Sequence, residues 1–214
     1  MLKGAIFDFD GSLVDSMYIW ENISMDYLRS LGIEPMENLN EVFEKFSLEE
    51  AAVYYQEKYD VTLSVEEIVC GVNEMIRSFY RTKVKLKRGI KEFLETMKHN
   101  GAKMCIATLS DIDLVKETLT RLGIAEYFTE VFTCTEFGTG KTTPDIYRTA
   151  LMHLGTHKEE TYVFEDALYA AKTAKADGFN VIGIYDEYEP SQEILKQISD
   201  LYIQDYTDER LMKL

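Results

Sequence analysis

Short apolar segments alternate along the chain with longer segments in which apolar residues recur every three or four positions. The short segments are typical of buried strands and the longer ones of amphipathic helices. The predicted strands are Gly4 to Phe7, Met104 to Thr108, Val131 to Cys134, Thr161 to Phe164, Asn180 to Tyr185 and a weaker Leu201 to Ile203. Strands that alternate with helices predict an α/β fold with a mostly parallel sheet and helices on both faces.

The ends of the predicted helices carry residues that cap helices. Glycines follow five apolar-periodic segments, where a left-handed residue closes a helix: Gly32, Gly101, Gly123, Gly155 and Gly178. Three serines have an acidic residue three positions later, the spacing of a capping box: Ser47, Ser64 and Ser110. We therefore expect Ser110 to cap the helix that follows the second strand.

A long segment interrupts the alternation after the first strand. About seventy residues without a strand pattern precede the helix near Gly89, far more than a strand-to-helix loop contains. Apolar residues recur there at helical spacing: Trp20, Ile23, Tyr27 and Leu31, then Ile68, Val72, Met75, Ile76 and Phe79. We predict an all-helical insert at 16–83 that rises from the carboxyl edge of a core formed by 1–15 and 84–214.

Composition and charge narrow the possible functions. The 214 residues include 23 Lys and Arg against 38 Asp and Glu, and the net charge of -15 disfavours non-specific binding to nucleic acid or anionic lipid. We expect neither a membrane span nor a signal peptide, because no apolar run is long enough. Cys70, Cys105 and Cys134 are widely spaced among apolar residues, which predicts buried free thiols in a reducing cytoplasm.

Two aspartates follow the first strand. Side chains alternate in an extended segment, so Asp8 and Asp10 face the same way and require a cation or a shared proton nearby. Such a pair suits a nucleophile and an acid–base group beside a hard metal ion. The alternative is a strand that ends in a simple turn at Asp10-Gly11.

Polar side chains also stand at three later strand ends. Thr108 ends the second strand, Lys141 follows the third, and Glu165 with Asp166 follows the fourth. The carboxyl ends of parallel strands lie at one edge of a sheet, where α/β proteins bind ligands. We therefore expect these groups to share one site with Asp8.

Each residue type in this set has a plausible task in phosphoryl transfer. Asp8 would attack phosphorus, and Asp10 would protonate the leaving oxygen and later deprotonate the attacking water. Thr108 and Lys141 would hold the phosphoryl oxygens. Magnesium would be bound by Asp8, Asp166 and the backbone carbonyl of Asp10, and would offset the charge of the phosphoryl group.

The segment Gly138 to Thr142 also invites interpretation as a nucleotide-binding P-loop. That motif would require a glycine where the chain has Thr135, and a helix that opens at Lys141. Pro144 instead predicts a helix with Thr143 as its cap and Pro144 in its first turn, which leaves Lys141 in the loop. A P-loop protein is therefore the weaker alternative.

In these motifs the chain resembles the haloacid dehalogenase-like hydrolase superfamily, in its phosphatase and β-phosphoglucomutase-like group with a helical cap. The motifs are Asp8 to Ser16, then Thr108, then Lys141 with Pro144 and Asp145, then Glu165 and Asp166. The resemblance implies a three-layer Rossmann-like core, an inserted mobile cap, Mg²⁺ and the roles given above. It also implies that Glu165 contacts the groups that bind the metal and does not bind the metal itself.

Several other functions are compatible with parts of this pattern. The acid at Asp10 disfavours a dehalogenase, which has no leaving oxygen to protonate. The chain has Trp20 and Leu48 where β-phosphoglucomutases carry a histidine and an arginine, which weakens the sugar-phosphate mutase alternative. In a phospho-accepting receiver domain the acids would precede the hydroxyl residue and the lysine, and there would be no insert.

The most economical interpretation is a magnesium-dependent phosphatase that hydrolyses a small phosphomonoester such as a sugar phosphate. We expect it to be a monomer or a weak homo-oligomer.

Asp15 and Ser16 are expected to cap the first insert helix and to mark the hinge of the cap. Substrate specificity is expected to lie in the cap. Most aromatic residues at helical spacing are core residues and most charge runs are solvated, so we name only Trp20 and Arg77 as candidate substrate contacts.

Overall fold

The computed structural model describes residues 2–37, 39–43, 46–134 and 140–214. The chain divides into two compact units. The first unit joins Met1–Ser16 to Val84–Leu214, and the second is Met17–Lys83. The first unit is thus assembled from two separate stretches of sequence, and the second is inserted between them.

The first unit is built on a six-stranded sheet in which every pairing is parallel. The described strands are β1 (Gly4–Phe7), β2 (Val14–Asp15), β3 (Lys85–Leu86), β4 (Lys103–Thr108), β5 (Val131–Thr133), β6 (Thr161–Glu165), β7 (Asn180–Ile184) and β8 (Leu201–Ile203). The order across the sheet is β5-β4-β1-β6-β7-β8. The six strands predicted from the sequence are therefore confirmed.

The strands β2 and β3 correct one expectation. The sequence pattern indicated no strand between β1 and the helix near Gly89, but Val14 pairs with Leu86 and Asp15 with Lys85 in an antiparallel ribbon. Each strand is two residues long, so neither can show the alternation by which strands are recognised. The ribbon joins the two points where the chain leaves the first unit and returns to it.

Nine α-helices are found in the described residues. They are α1 (Met17–Ser30), α2 (Leu39–Phe43), α3 (Leu48–Tyr59), α4 (Val65–Thr82), α5 (Ile90–His99), α6 (Ile112–Leu122), α7 (Asp145–Leu154), α8 (Leu168–Ala176) and α9 (Gln192–Ile198). Ser47 and Ser64 form the predicted capping boxes with Glu50 and Glu67. The five glycines expected at helix ends all have positive φ.

Helices cover both faces of the sheet. Successive residues of β1 point to opposite faces, so the neighbours of Ile6 lie on one face and those of Phe7 on the other. Ile6 lies in a core cluster with Tyr147 of α7 and Ala171 of α8. On the other face, the ring of Phe7 stacks on Phe164 with centroids 4.3 Å apart and meets Phe93 of α5 edge-on at 6.5 Å. The predicted three-layer arrangement is confirmed.

The second unit contains α1 to α4 and no strand among its described residues. The buried face of α4 is Ile68, Val72, Ile76 and Tyr80, close to the predicted face. The prediction for α1 is wrong in part: Trp20 and Leu31 are exposed, and Ile19, Ser24, Tyr27 and Leu28 are buried. Ser24 can occupy this buried face because its hydroxyl bonds to Asn40.

The cysteines depart from expectation at one position. Cys105 and Cys134 are buried as predicted, but Cys70 is exposed. Cys70 lies on α4 two positions from both Ile68 and Val72, so the helix turns it away from the buried face. No helix in the described part of the chain combines the length and apolar character needed to cross a bilayer.

Candidate active site

The polar strand ends meet where the strand order reverses. The chain passes from β1 to β4 on one side, and β6 later pairs with the opposite side of β1. This is the switch point of an open α/β sheet, where ligands bind beyond the carboxyl ends of the strands. The N–H of Asp8 donates to the carbonyl of Phe164 over 2.9 Å, which brings Asp8 beside Glu165.

Lys141 occupies the centre of the site. It lies in the turn that precedes α7, with only 2% of its surface exposed. Its Nζ donates to Asp8 Oδ1 and, over 2.6 Å, to Glu165 Oε1. The structure thus brings together three residues from three predicted strand ends.

The start of α7 corrects the predicted helix boundary. Pro144 is the N-cap and the helix begins at Asp145, one residue later than expected, while the Thr143 hydroxyl donates to the Asp145 side chain over 2.8 Å. Lys141 is in a turn and not at a helix start, which is not the P-loop arrangement. Thr135 and Gly138, on which that alternative also depends, lie outside the described residues.

Three buried carboxylates form a group that could hold a metal ion. Oxygen atoms of Asp8, Glu165 and Asp166 lie within 4.8 Å of one another. The Ser12 hydroxyl donates to Asp166 Oδ1 over 3.0 Å, and the Tyr206 hydroxyl donates to the Ser12 carbonyl over 3.2 Å. Oxygen donors of this kind match the preference of Mg²⁺ or Ca²⁺.

The electrostatics of the site also favour a bound cation. Burial raises the pKa of Asp8 to about 7, although the neighbouring Lys141 opposes the rise. Burial likewise raises the pKa of Asp166, and the charges of Asp8, Glu165 and Asp186 add to the rise. Burial lowers the pKa of Lys141, but Asp8 and Glu165 outweigh it and the pKa is raised overall. A divalent cation would offset the excess negative charge.

Asp10 is held by hydroxyl groups on both of its carboxylate oxygens. Ser16 donates to Oδ1 over 2.6 Å, and Ser110 donates to Oδ2. Gly11, with φ of 74°, makes the left-handed turn that follows Asp10. The Ser16 hydroxyl, which the sequence predicts to cap α1, thus donates to Asp10 at the point where α1 begins.

The expectation that Ser110 caps α6 is wrong. Asp111 is the N-cap, and its side chain accepts from the N–H groups of Asp113 and Leu114. Asp111 can receive these bonds in the same way as a serine, which leaves Ser110 one position earlier and inside the site. The Ser110 N–H donates to the hydroxyl of buried Thr108 over 3.0 Å.

A second buried ion pair was missed by the sequence analysis. Lys87 Nζ lies 2.7 Å from Asp186 Oδ2, and the Asp186 side chain is 2% exposed. Lys87 stands in a run of basic residues, and such runs are usually solvated. Asp186 directly follows the predicted strand Asn180 to Tyr185, so the strand-end argument used for Asp8 would have found it.

The two candidate substrate contacts lie in the second unit. Trp20 is 41% exposed, and its indole N–H donates to the Tyr80 hydroxyl over 2.9 Å. Trp20 also lines a cavity of about 270 Å³ within this unit, together with Phe43 and Tyr55. Arg77 is exposed on α4.

Known proteins of similar sequence indicate the family of the chain. The sequence model of the family described as haloacid dehalogenase-like hydrolase matches residues 5–184. A phosphorylated carbohydrates phosphatase of Thermotoga maritima is 26% identical over 181 residues, which are 85% of this chain and 84% of the relative. A glyceraldehyde 3-phosphate phosphatase of Methanocaldococcus jannaschii is 28% identical, over 100% of this chain and 96% of the relative.

The fold has a close counterpart among solved structures. A crystal structure from Thermotoga maritima, provisionally assigned as a β-phosphoglucomutase, superposes with a TM-score of 0.85 over 99% of both chains. The two sequences are 23% identical. This similarity concerns the fold.

Proposed function

Because the chain belongs to the haloacid dehalogenase-like hydrolase family, we propose that it is a magnesium-dependent phosphatase that hydrolyses a small phosphomonoester through Asp8. The observation that carries the proposal is the buried contact of Lys141 with both Asp8 and Glu165. The relatives named above are phosphatases, and two of their names specify phosphorylated carbohydrates or a triose phosphate. A sugar phosphate or a similar metabolite is accordingly the proposed substrate class.

The first chemical step forms an ester on Asp8. A carboxylate oxygen of Asp8 attacks phosphorus, the bond between phosphorus and the leaving oxygen breaks, and Asp10 gives its proton to that oxygen. The product alcohol departs and an aspartyl-phosphate is left. Lys141 and Thr108 would bind the phosphoryl oxygens, since both lie buried at the same edge of the sheet.

The second step returns the enzyme to its starting state. Asp10 takes a proton from water, the water oxygen attacks phosphorus, and the bond to Asp8 breaks to release inorganic phosphate. The hydrogen bonds from Ser16 and Ser110 hold the carboxylate of Asp10 in one orientation for this transfer. Each of the two steps therefore balances in protons without a further donor.

The residues present fit a magnesium ion. Asp8 and Asp166 would bind it together with the backbone carbonyl of Asp10, and Glu165 would act through Lys141 because its Oε1 accepts from that lysine. When bound, the ion supplies positive charge that offsets the charge of the phosphoryl group and of the carboxylates.

The second unit, Met17–Lys83, is the proposed cap and begins one residue after the start of the 16–83 insert expected from the sequence. We assign substrate contact to Trp20, whose exposed ring lies in the aromatic part of this unit, and to the exposed cation Arg77. An aromatic surface with a cation suits a phosphorylated metabolite.

The test is phosphate release from a panel of small phosphomonoesters with MgCl₂, for the wild type and Asp8→Asn. The panel includes glucose 1-phosphate with a trace of its bisphosphate. Phosphate release by the wild type that falls by at least about 10⁴-fold in Asp8→Asn supports the proposal. Isomerisation of the sugar phosphate with little release would establish the mutase alternative, and no reaction on any ester would overturn the proposal.

A further inference from the structure

Tyr147 places a phenol hydroxyl against the carboxylate cluster, and the roles proposed above do not use it. The residue lies in the first turn of α7 and is fully buried. Its hydroxyl donates to Glu165 Oε1 over 2.7 Å. The sequence pattern does not single out Tyr147, because an aromatic residue at helical spacing is usually explained by the core alone.

One oxygen atom of Glu165 receives two donors. Oε1 accepts from Tyr147 over 2.7 Å and from Lys141 over 2.6 Å. Lys141 in turn donates to Asp8. Tyr147, Glu165, Lys141 and Asp8 therefore form one hydrogen-bonded chain, in which the phenol fixes the orientation of the carboxylate that orients the lysine.

Packing does not account for the hydroxyl group. The ring of Tyr147 belongs to the main hydrophobic cluster, and its centroid lies 6.1 Å from that of Phe179. A phenylalanine would make the same ring contacts. A buried hydroxyl without a hydrogen-bond partner is destabilising. In this apolar cluster the Tyr147 hydroxyl has the Glu165 carboxylate as its acceptor.

The Glu165 carboxylate could also bind the metal ion directly. Its carboxylate lies within 4.8 Å of those of Asp8 and Asp166, so it could become a further ligand of an ion bound there. An additional carboxylate would favour Ca²⁺, which takes six to eight oxygen ligands, over Mg²⁺, which is usually bound by one or two carboxylates and several waters. The orientation of Glu165 thus bears on which cation the site prefers.

We propose that Tyr147 is a positioning residue whose hydroxyl holds Glu165 on Lys141 and so keeps that carboxylate from becoming an additional ligand of the metal. Tyr147 thereby sets the preference of the site for Mg²⁺ over Ca²⁺. This inference rests on the proposed function for the location of the metal. It concerns cation binding, which can be measured without turnover.

The experiment is calorimetric titration of MgCl₂ and, separately, CaCl₂ into the metal-free protein. In Tyr147→Phe the ratio of the two dissociation constants should move toward Ca²⁺ by about tenfold, the usual scale for the loss of an outer hydrogen bond to a metal site. Tyr55→Phe is the matched control, because Tyr55 is a buried tyrosine of the second unit whose hydroxyl donates to the Ser24 carbonyl. Its ratio should equal that of the wild type.

A cycle with Glu165→Gln separates this role from a general effect on the fold. An amide is a poor substitute for a carboxylate ligand, so Tyr147→Phe should produce no further shift in the Glu165→Gln background. An equal shift in that background would overturn the proposal, as would an unchanged ratio in Tyr147→Phe or a wild type that binds neither cation. If Tyr147→Phe does not fold, Tyr147→Met, which also lacks the donor, carries the same test.

The result also separates this inference from the proposed function. A shifted ratio in a protein that hydrolyses no phosphomonoester would support the role of Tyr147 and overturn the phosphatase. An unchanged ratio in an active phosphatase would overturn only the role of Tyr147.

Discussion

The Ser110 hydroxyl donates a hydrogen bond to Asp10 Oδ2, and so connects the loop after β4 with the loop after β1. The backbone N–H of the same serine donates to the Thr108 hydroxyl over 3.0 Å. Ser110 therefore links the proposed acid–base residue to a proposed phosphate-binding residue. Its side chain belongs to the site, although its place in the sequence is typical of a helix cap.

Replacement of Ser110 by alanine should impair turnover without unfolding the protein. Ser110→Ala is expected to lower kcat by about 10- to 100-fold, because Asp10 loses one of the two hydroxyls that orient it. KM should change little. The matched control is Thr120→Ala, which removes a hydroxyl from an exposed position of α6. Equal kcat values for the two variants would contradict this role.

Magnesium should stabilise the protein through Asp166. At about 100 times its dissociation constant the ion should add roughly 2.7 kcal/mol to the free energy of unfolding, and EDTA should remove that increment. Asp166→Asn should abolish the increment and raise the melting temperature of the metal-free protein, because one buried charge beside Asp8 and Glu165 is lost.

Thermal scans with EDTA and with MgCl₂ measure both effects of Asp166→Asn. The Ser12 hydroxyl can still donate to the asparagine carbonyl, so the local hydrogen bond is kept. A variant with the wild-type response to magnesium would show that Asp166 does not bind the ion.

Asp177 should contribute stability that depends on pH. Hydrogen bonds from Arg148 lower the pKa of Asp177, burial opposes this, and Lys158 adds to the lowering. Since the folded pKa is below the ordinary value, the contribution is complete above that value and is lost as pH falls through the folded pKa. Asp177→Asn should therefore melt a few degrees below the wild type at neutral pH.

The difference caused by Asp177→Asn should shrink as pH falls below the ordinary pKa of an aspartate, and should disappear below the folded pKa, where the carboxylate is protonated in both states. Melting curves across that range measure it. Asp205→Asn offers a comparison, because hydrogen bonds from Thr207 lower the pKa of Asp205 more than its ion pair with Arg88 does. A difference for Asp177→Asn that stays constant with pH would contradict the assignment.

Phe93 should be a large contributor to the stability of the first unit. Its ring lies 5.4 Å from Tyr206, 5.7 Å from Phe164 and 6.5 Å from Phe7, measured between centroids. Phe93→Ala should lower the free energy of unfolding by about 3–5 kcal/mol, because the cavity left beside β1 cannot close fully. Urea denaturation measures the loss, and Met152→Ala, at a position 74% exposed, should change it little.

The sequence predicted the fold well where the pattern of apolar residues was long enough to be periodic. The six strands and the buried face of α4 follow from such patterns. The pairing of β2 with β3 does not, because strands of two residues contain no period. In α1 the buried Ser24 breaks the apolar face, and only its partner Asn40 explains why a serine lies there.

The site was predictable to the extent that its residues stand at strand ends. Asp8, Lys141 and Glu165 could be placed together because parallel strands share one carboxyl edge. Ser110 and Tyr147 could not, because the position of Ser110 suggests a helix cap and that of Tyr147 suggests a core residue. Their roles depend on hydrogen bonds to residues far away in sequence, and spacing carries no information about such bonds.

The central place of β1 in the sheet has a consequence for synthesis on the ribosome. Both neighbours of β1 are made long after it, since β4 and β6 follow the whole of the second unit in the chain. The whole helical unit is synthesised before either partner strand, while β1 stays unpaired. The sheet of the first unit is thus incomplete until residue 165 has been synthesised. Only then can β6 pair with β1 and bring Glu165 beside Asp8.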